Sequence, residues 1–176
     1  MNRKAWVILS ACALALGSCA MMQSIIKSTF PYTTTLEIPR SSSPGVELSV
    51  TGMANSFDQD FKKDGNNADK VSDVRMQSAR VESRDPNDFN IGNLSTLKVY
   101  MSKADSTGEV LVASRTDITT GVGNVMVLDI DDTHPLEKRV REAKVRIRIV
   151  YKLRNHIDVN AHLHIVLGLA AVPGGN

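Results

Sequence analysis

Lys144, Arg146, Arg148 and Lys152 stand at even positions of one run, with Val145, Ile147, Ile149, Tyr151 and Leu153 between them. Such alternation marks a half-buried β-strand. It predicts a row of cations on the outward face, with Arg154 just beyond. A guanidinium grips phosphate or carboxylate through a planar fork, so the row is a candidate site for an anion or an acidic partner. The alternative is a solvated strand face whose charges discourage edge pairing. The next run sets Ile157, Val159, Ala161, Leu163, Ile165, Leu167 and Leu169 on one side and Asp158, Asn160, His162 and His164 on the other. A short connection through Arg154-Asn155-His156 makes the two runs a hairpin with Leu153 opposite Ile157. In that register Lys152 meets Asp158, Arg148 meets His162 and Arg146 meets His164. The candidate anion- or partner-binding face is therefore Lys144, Arg146, Arg148, Lys152, His162 and His164.

Other chemistry finds less support. His162 and His164 share a face, yet zinc takes three or four ligands and the arginines expected opposite them would repel a cation. No metal or cofactor is expected. The aspartates at 58, 60, 64 and 69, and at 129, 131 and 132, lack the order of a calcium-binding loop and read as turns and caps. There is no Gly-x-Ser-x-Gly, no His-Glu-x-x-His and no glycine-rich phosphate loop, and Gly121-Val122-Gly123-Asn124 reads as a turn. An enzyme is not expected; a hydrolase assembled from dispersed Ser, His and Asp is the weakest reading. Nucleic acid is disfavoured as a partner by a net charge of +2 and an aromatic content of 5%.

The remaining chemistry is a thiol. Arg3 and Lys4 precede an apolar run from Ala5 to Leu16, and Leu16-Gly17-Ser18-Cys19 closes it with small residues. This order is that of a secretory signal, and the run is too short for the roughly 20 residues of a membrane-spanning helix. The closing residues resemble the lipobox of bacterial lipoproteins. The resemblance implies recognition of Leu16, Gly17 and Ser18 by signal peptidase II, cleavage before Cys19, and acyl chains on the Cys19 sulfur. With Ala20 after the cysteine, it also implies the outer membrane of a Gram-negative bacterium, the domain facing the periplasm. The only other cysteine, Cys12, lies in the discarded segment. The exported domain would then have neither free thiol nor disulfide, and packing alone must hold it.

The expected organisation is a signal peptide at 1–18, a lipidated tether at 19–32 and a single domain at 33–176. The tether would reach no more than roughly 45 Å. Thr33 to Ile38 reads as a first strand, and Pro39 to Gly45 as a loop. Val46, Leu48 and Val50 alternate with Glu47, Ser49 and Thr51 in a half-buried strand that Gly52 ends. Phe57 to Asp69 is a long polar segment. Along Val71 to Ser83 the apolar phase slips by one near Gln77-Ser78, which predicts a β-bulge. Asp85-Pro86-Asn87 reads as a turn, and further strands are expected at 97–101, 110–113 and 125–130. His134 to Ala143 carries helical spacing through Leu136, Val140 and Ala143, with Pro135 in its first turn and Asp132 or Thr133 as its cap. Several short strands with one helix predict an all-β antiparallel sandwich; a barrel is the alternative. The expected role is a structural or protein-interaction module of the cell envelope, anchored to the membrane through lipid on Cys19. The second reading is a binding module for an anionic ligand or glycolipid on the basic strand face.

Overall fold

The computed structural model describes residues 28–56, 71–140 and 144–173. The signal and lipobox residues, Cys19, the segment from Phe57 to Asp69 and the end of the expected helix lie outside them. The described chain is an antiparallel β-sandwich. Its strands are β1 (Ser28–Ile38), β2 (Glu47–Ser56), β3 (Val71–Asp85), β4 (Leu94–Lys103), β5 (Val110–Arg115), β6 (Val125–Val127), β7 (Asp129–Ile130), β8 (Lys144–Leu153) and β9 (Ala161–Pro173). One short helix, α1 (Glu137–Val140), precedes β8.

The strands form one ladder in the order β6-β3-β9-β1-β2-β8-β4-β5-β7. It folds into two layers between β1 and β2, whose pairing among the described residues is Tyr32 with Ser56 and Thr33 with Asn55. Thr34 Oγ1 donates to the Met53 carbonyl across this corner, 3.2 Å away. Gly52 does not end β2. It lies where a Cβ would come within 2.5 Å of Leu36 Cδ2, so the missing side chain lets the layers approach. On the opposite side, residues 125–130 leave the edge of one layer for the edge of the other. β6 pairs with β3, β7 pairs with β5, and Leu128 N–H between them donates to the Ala79 carbonyl at 2.9 Å. Arg80–Glu82 of β3 and Ala113–Ser114 of β5 are thereby covered, which shortens the edges open to unwanted pairing.

Alternation places the core. Val145, Ile147, Ile149, Tyr151 and Leu153 of β8 face Leu163, Ile165, Leu167 and Leu169 of β9 across the interior, all buried. The bulge is where the phase slip puts it: Met76 lies opposite Leu169 and Ser78 opposite Gly168, skipping one residue. Gly168 fits this kink, since a Cβ there would run into Ser78 Oγ. Val74 and Met76 before the bulge, and Ala79 and Val81 after it, therefore all reach the core.

The expected hairpin is the main correction. β8 pairs with β2 and β4, while β9 pairs with β1 and β3, so the two strands belong to different layers. Two apolar faces side by side in one layer would need a third surface to cover them. Set across from one another, they cover each other. The connection from residue 154 to 160 spans the layers, burying Ile157 and leaving Val159 43% exposed, not inward as its alternation suggests. β1 also begins at Ser28 rather than Thr33, and its first residue pairs with Ala171. α1 begins at Glu137 rather than His134, because the preceding turn anchors to β3 through Leu136 N–H and the Val74 carbonyl, 2.9 Å apart. Asp132 and Thr133 lie too far ahead of Glu137 to cap α1; Asp131 instead closes a turn in the preceding loop, accepting from Thr133 N–H and Oγ1 at 3.0 and 2.5 Å.

Register also defines two ends. Ser28, Ser56, Lys103, Lys144 and Pro173 gather at one end, together with α1 and the loop from residue 104 to 109. Ile38, Glu47, Asp85, Leu94, Leu153 and Ala161 lie at the other. At about 3.3 Å per residue, β1 sets these ends roughly 30 Å apart.

Candidate functional site

The residues expected to form one polar face occupy two. On β8, Lys144 lies opposite Asn55, Arg146 opposite Met53 and Ser102, Arg148 opposite Thr51 and Tyr100, and Lys152 opposite Glu47 and Thr96. On β9, His162 lies opposite Glu37 and Asp85, and His164 opposite Thr35 and Glu82. Both sets point outward, but from different layers. The pairings of Lys152 with Asp158, Arg148 with His162 and Arg146 with His164 do not occur. A single anion site lined by Arg146, Arg148 and His162 is excluded by this topology.

The β8 face is organised by the loop between β4 and β5. Asp105 curls it, accepting from Thr107 N–H at 2.8 Å and Thr107 Oγ1 at 2.6 Å. Positive φ at Ser106 and Gly108 completes the turn. Three arginines then grip consecutive parts of the loop. Arg148 donates Nε–H to Glu109 Oε1 at 2.9 Å and a second N–H to Oε2, and its guanidinium lies 4.5 Å over the Tyr100 ring. Arg146 donates to the Ser106 hydroxyl. Arg139, from α1, donates to the Gly108 carbonyl at 2.6 Å and the Pro135 carbonyl at 3.0 Å. Of these three arginines, Arg148 is the one ion-paired with a carboxylate among the described residues, and Glu109 also attracts Arg146 from farther off. Lys98 Nζ also approaches Glu47, at 3.7 Å.

The Arg148 fork holds the Glu109 carboxyl below the usual carboxylate range, against a smaller opposing effect of burial. A carboxylate whose folded pKa is depressed contributes its full stability above its ordinary value of about 4.3, and loses it as pH falls through the folded value. About a third of the Glu109 side chain is exposed, so solvent screening keeps the pair's contribution near ~0.5–1 kcal/mol. Glu109→Gln is expected to lower stability by that amount at pH 7 and to have a smaller effect at pH 3. Urea midpoints at the two pH values measure the difference.

The β9 face is a mixed cluster. His162 Nε2 lies 3.3 Å from Glu37 Oε2, while Nδ1 lies 3.3 Å from the Asp85 carbonyl and 3.7 Å from its carboxylate. The two carboxylates thus approach opposite ring nitrogens and cannot share one ion with either. Among the described residues, no group of three or more His, Cys, Asp or Glu side chains is placed to hold a metal. His164 Nδ1 is 3.2 Å from Thr35 Oγ1. Burial, then Arg84, hold the His164 imidazolium below its ordinary range; Glu82 opposes this and Arg80 adds to it. Between the lowered folded value and the ordinary value of about 6.5, the unfolded chain binds more protons, so stability rises with pH across that window. His164→Gln is expected to flatten the loss of stability between pH 7 and pH 5, read from urea midpoints. An unchanged slope would contradict it.

The far end is stitched by polar contacts that no sequence motif announces. Asn90 Oδ1 accepts from Gly92 N–H at 2.8 Å and Gly123 N–H at 3.1 Å, while its amide donates to the Thr120 carbonyl at 2.6 Å. Arg154 donates to the Ile118 carbonyl at 2.5 Å. Residues 119–124 are indeed turn-like, and here the turn is a structural clasp.

Among the described residues, no helix is long and apolar enough to cross a membrane. No protein-family model matches the chain, and no curated protein matches it.

Proposed function

We propose that the chain is a lipid-anchored β-sandwich of the bacterial cell envelope that works as a structural or protein-interaction module. The observation that carries the reading is the Leu16-Gly17-Ser18-Cys19 sequence closing a short apolar run behind Arg3-Lys4. The position of β1 supports it. Ser28 is already paired in the sandwich, so the chain from Cys19 spans at most about 30 Å, less than the roughly 45 Å that composition suggests. A domain on so short a leash works beside the bilayer, facing the periplasm.

The interaction role draws on how the outward side chains are used. Arg148 is committed to Glu109 and His162 lies between carboxylates, which makes these faces suited to recognition by shape and charge. The far end, carrying Glu37, Asp85, Lys152 and His162, is directed away from the anchor and is the expected partner surface. Photo-crosslinking in cells from position 162 or 152 tests this. The expected result is a discrete adduct from at least one of them, lost when the neighbouring Glu37 is reversed to Lys. Proper membrane location with no adduct from either position would contradict the reading.

A further inference from the structure

We infer that the end of the sandwich carrying Lys138, Arg139, Lys144 and Arg146 docks onto the anionic headgroups of the membrane that holds Cys19. The inference rests on the lipid-anchored reading and adds an orientation and a charged contact surface to it. Three observations carry it.

The first is where the chain enters. Strand register puts Ser28 at the same end as Lys103, Lys144, α1 and the loop from residue 104 to 109. A leash of at most about 30 Å from Cys19 permits this end to lie on the bilayer. The second is the state of the cations. Lys138 and Lys144 are exposed. Arg139 binds two backbone carbonyls and Arg146 a hydroxyl, so both guanidiniums retain their charge for an outside anion. Burial lowers the Arg139 pKa against a smaller effect from Glu137, as befits a cation held by neutral oxygens. The third is how the neighbouring acids are employed. Glu109 is bound to Arg148. Asp105 is held in its own loop by neutral Thr107 donors and keeps its charge, as does Glu137, so among the described residues of α1 and this loop two free carboxylates stand beside four cations. Lys152, on the same strand as Lys144, sits at the opposite end, so the outward row does not act as a whole.

Each basic residue near an anionic surface contributes about 1 kcal/mol, or roughly fivefold. Neutralising two should weaken docking roughly 25-fold. The test uses the full mature protein, acylated on Cys19 and inserted in vesicles of phosphatidylcholine alone or with phosphatidylglycerol. A cysteine introduced by Ala104→Cys or Asp158→Cys carries a donor dye, and acceptors lie in the headgroup layer. The expected result is stronger transfer from 104 than from 158, increasing with phosphatidylglycerol and weakening with salt. Lys144→Gln with Arg146→Gln removes the increase, while Lys152→Gln preserves it. Equal transfer from 104 and 158, or an increase that survives the double substitution, would overturn the docking surface. A protein that does not float with the vesicles at all would instead mark the failure of the lipid-anchored reading. Matching urea midpoints for the variants exclude unfolding as the cause.

Discussion

Gly92→Ala is expected to destabilise the sandwich by about 3 kcal/mol, at the upper end of what overpacking a core costs. Gly92 is buried in a 3-10 turn ahead of β4. A Cβ there would stand 2.5 Å from the Thr120 carbonyl oxygen and 2.6 Å from that of Thr119. Both are backbone atoms, so no side chain can swing aside. The loop that carries them cannot retreat cheaply either. Asn90 holds the Thr120 carbonyl, Arg154 holds the Ile118 carbonyl, and Ile118 N–H donates to Ser95 at 3.3 Å. Retreat would therefore strain the part-buried bond from Arg154 to the Ile118 carbonyl, where an unsatisfied group costs about 1–3 kcal/mol, and break the exposed one from Asn90 to Thr120. Denaturant unfolding of the variant measures the loss. A change under about 1 kcal/mol would show that the clasp yields, contrary to its hydrogen bonding.

Cys19→Ala is expected to move the protein from the membrane fraction to the soluble one, without altering the fold. Two or more acyl chains hold a protein stably, whereas one alone gives marginal binding with a constant of about 10⁴ M⁻¹. A chain with none keeps only the charges of its basic end. Those act over a screening length of about 8 Å at physiological salt and would be washed off by high salt. Fractionation of cells carrying the variant, followed by a salt wash, separates the two contributions. Retention of the variant in washed membranes would mean that something other than lipid on Cys19 holds the chain.

The sequence showed which way side chains point better than it showed which strands meet. Along β8 and β9 the period of two places nearly every inward residue, because a strand alternates faces whatever its neighbours are. The slip at Gln77-Ser78 was legible for the same reason, since a change of phase within one strand is written in its own residues. The hairpin was not, because alternation is equally satisfied by two strands side by side and by two strands facing one another. Val159 misled in this way: it keeps the phase of β9 but lies in the connection between layers. Arg148 and Glu109 lie 39 positions apart, and nothing local announces their fork. Leu136 and Val140 are buried as helical spacing requires, yet the helix starts late because the residues before it serve as an anchor to β3. The resemblance of Leu16-Gly17-Ser18-Cys19 to a lipobox is a matter of sequence alone, since these residues lie outside the described ones.

One measurement bears on the whole account most directly: intact mass and N-terminal fragmentation of the protein purified from its native membranes. A chain beginning at residue 19, with diacylglycerol in thioether linkage to its sulfur, is the predicted result. A chain that still begins at Met1, or one that carries an unmodified thiol at residue 19, would contradict the anchored sandwich and the surface inferred from it.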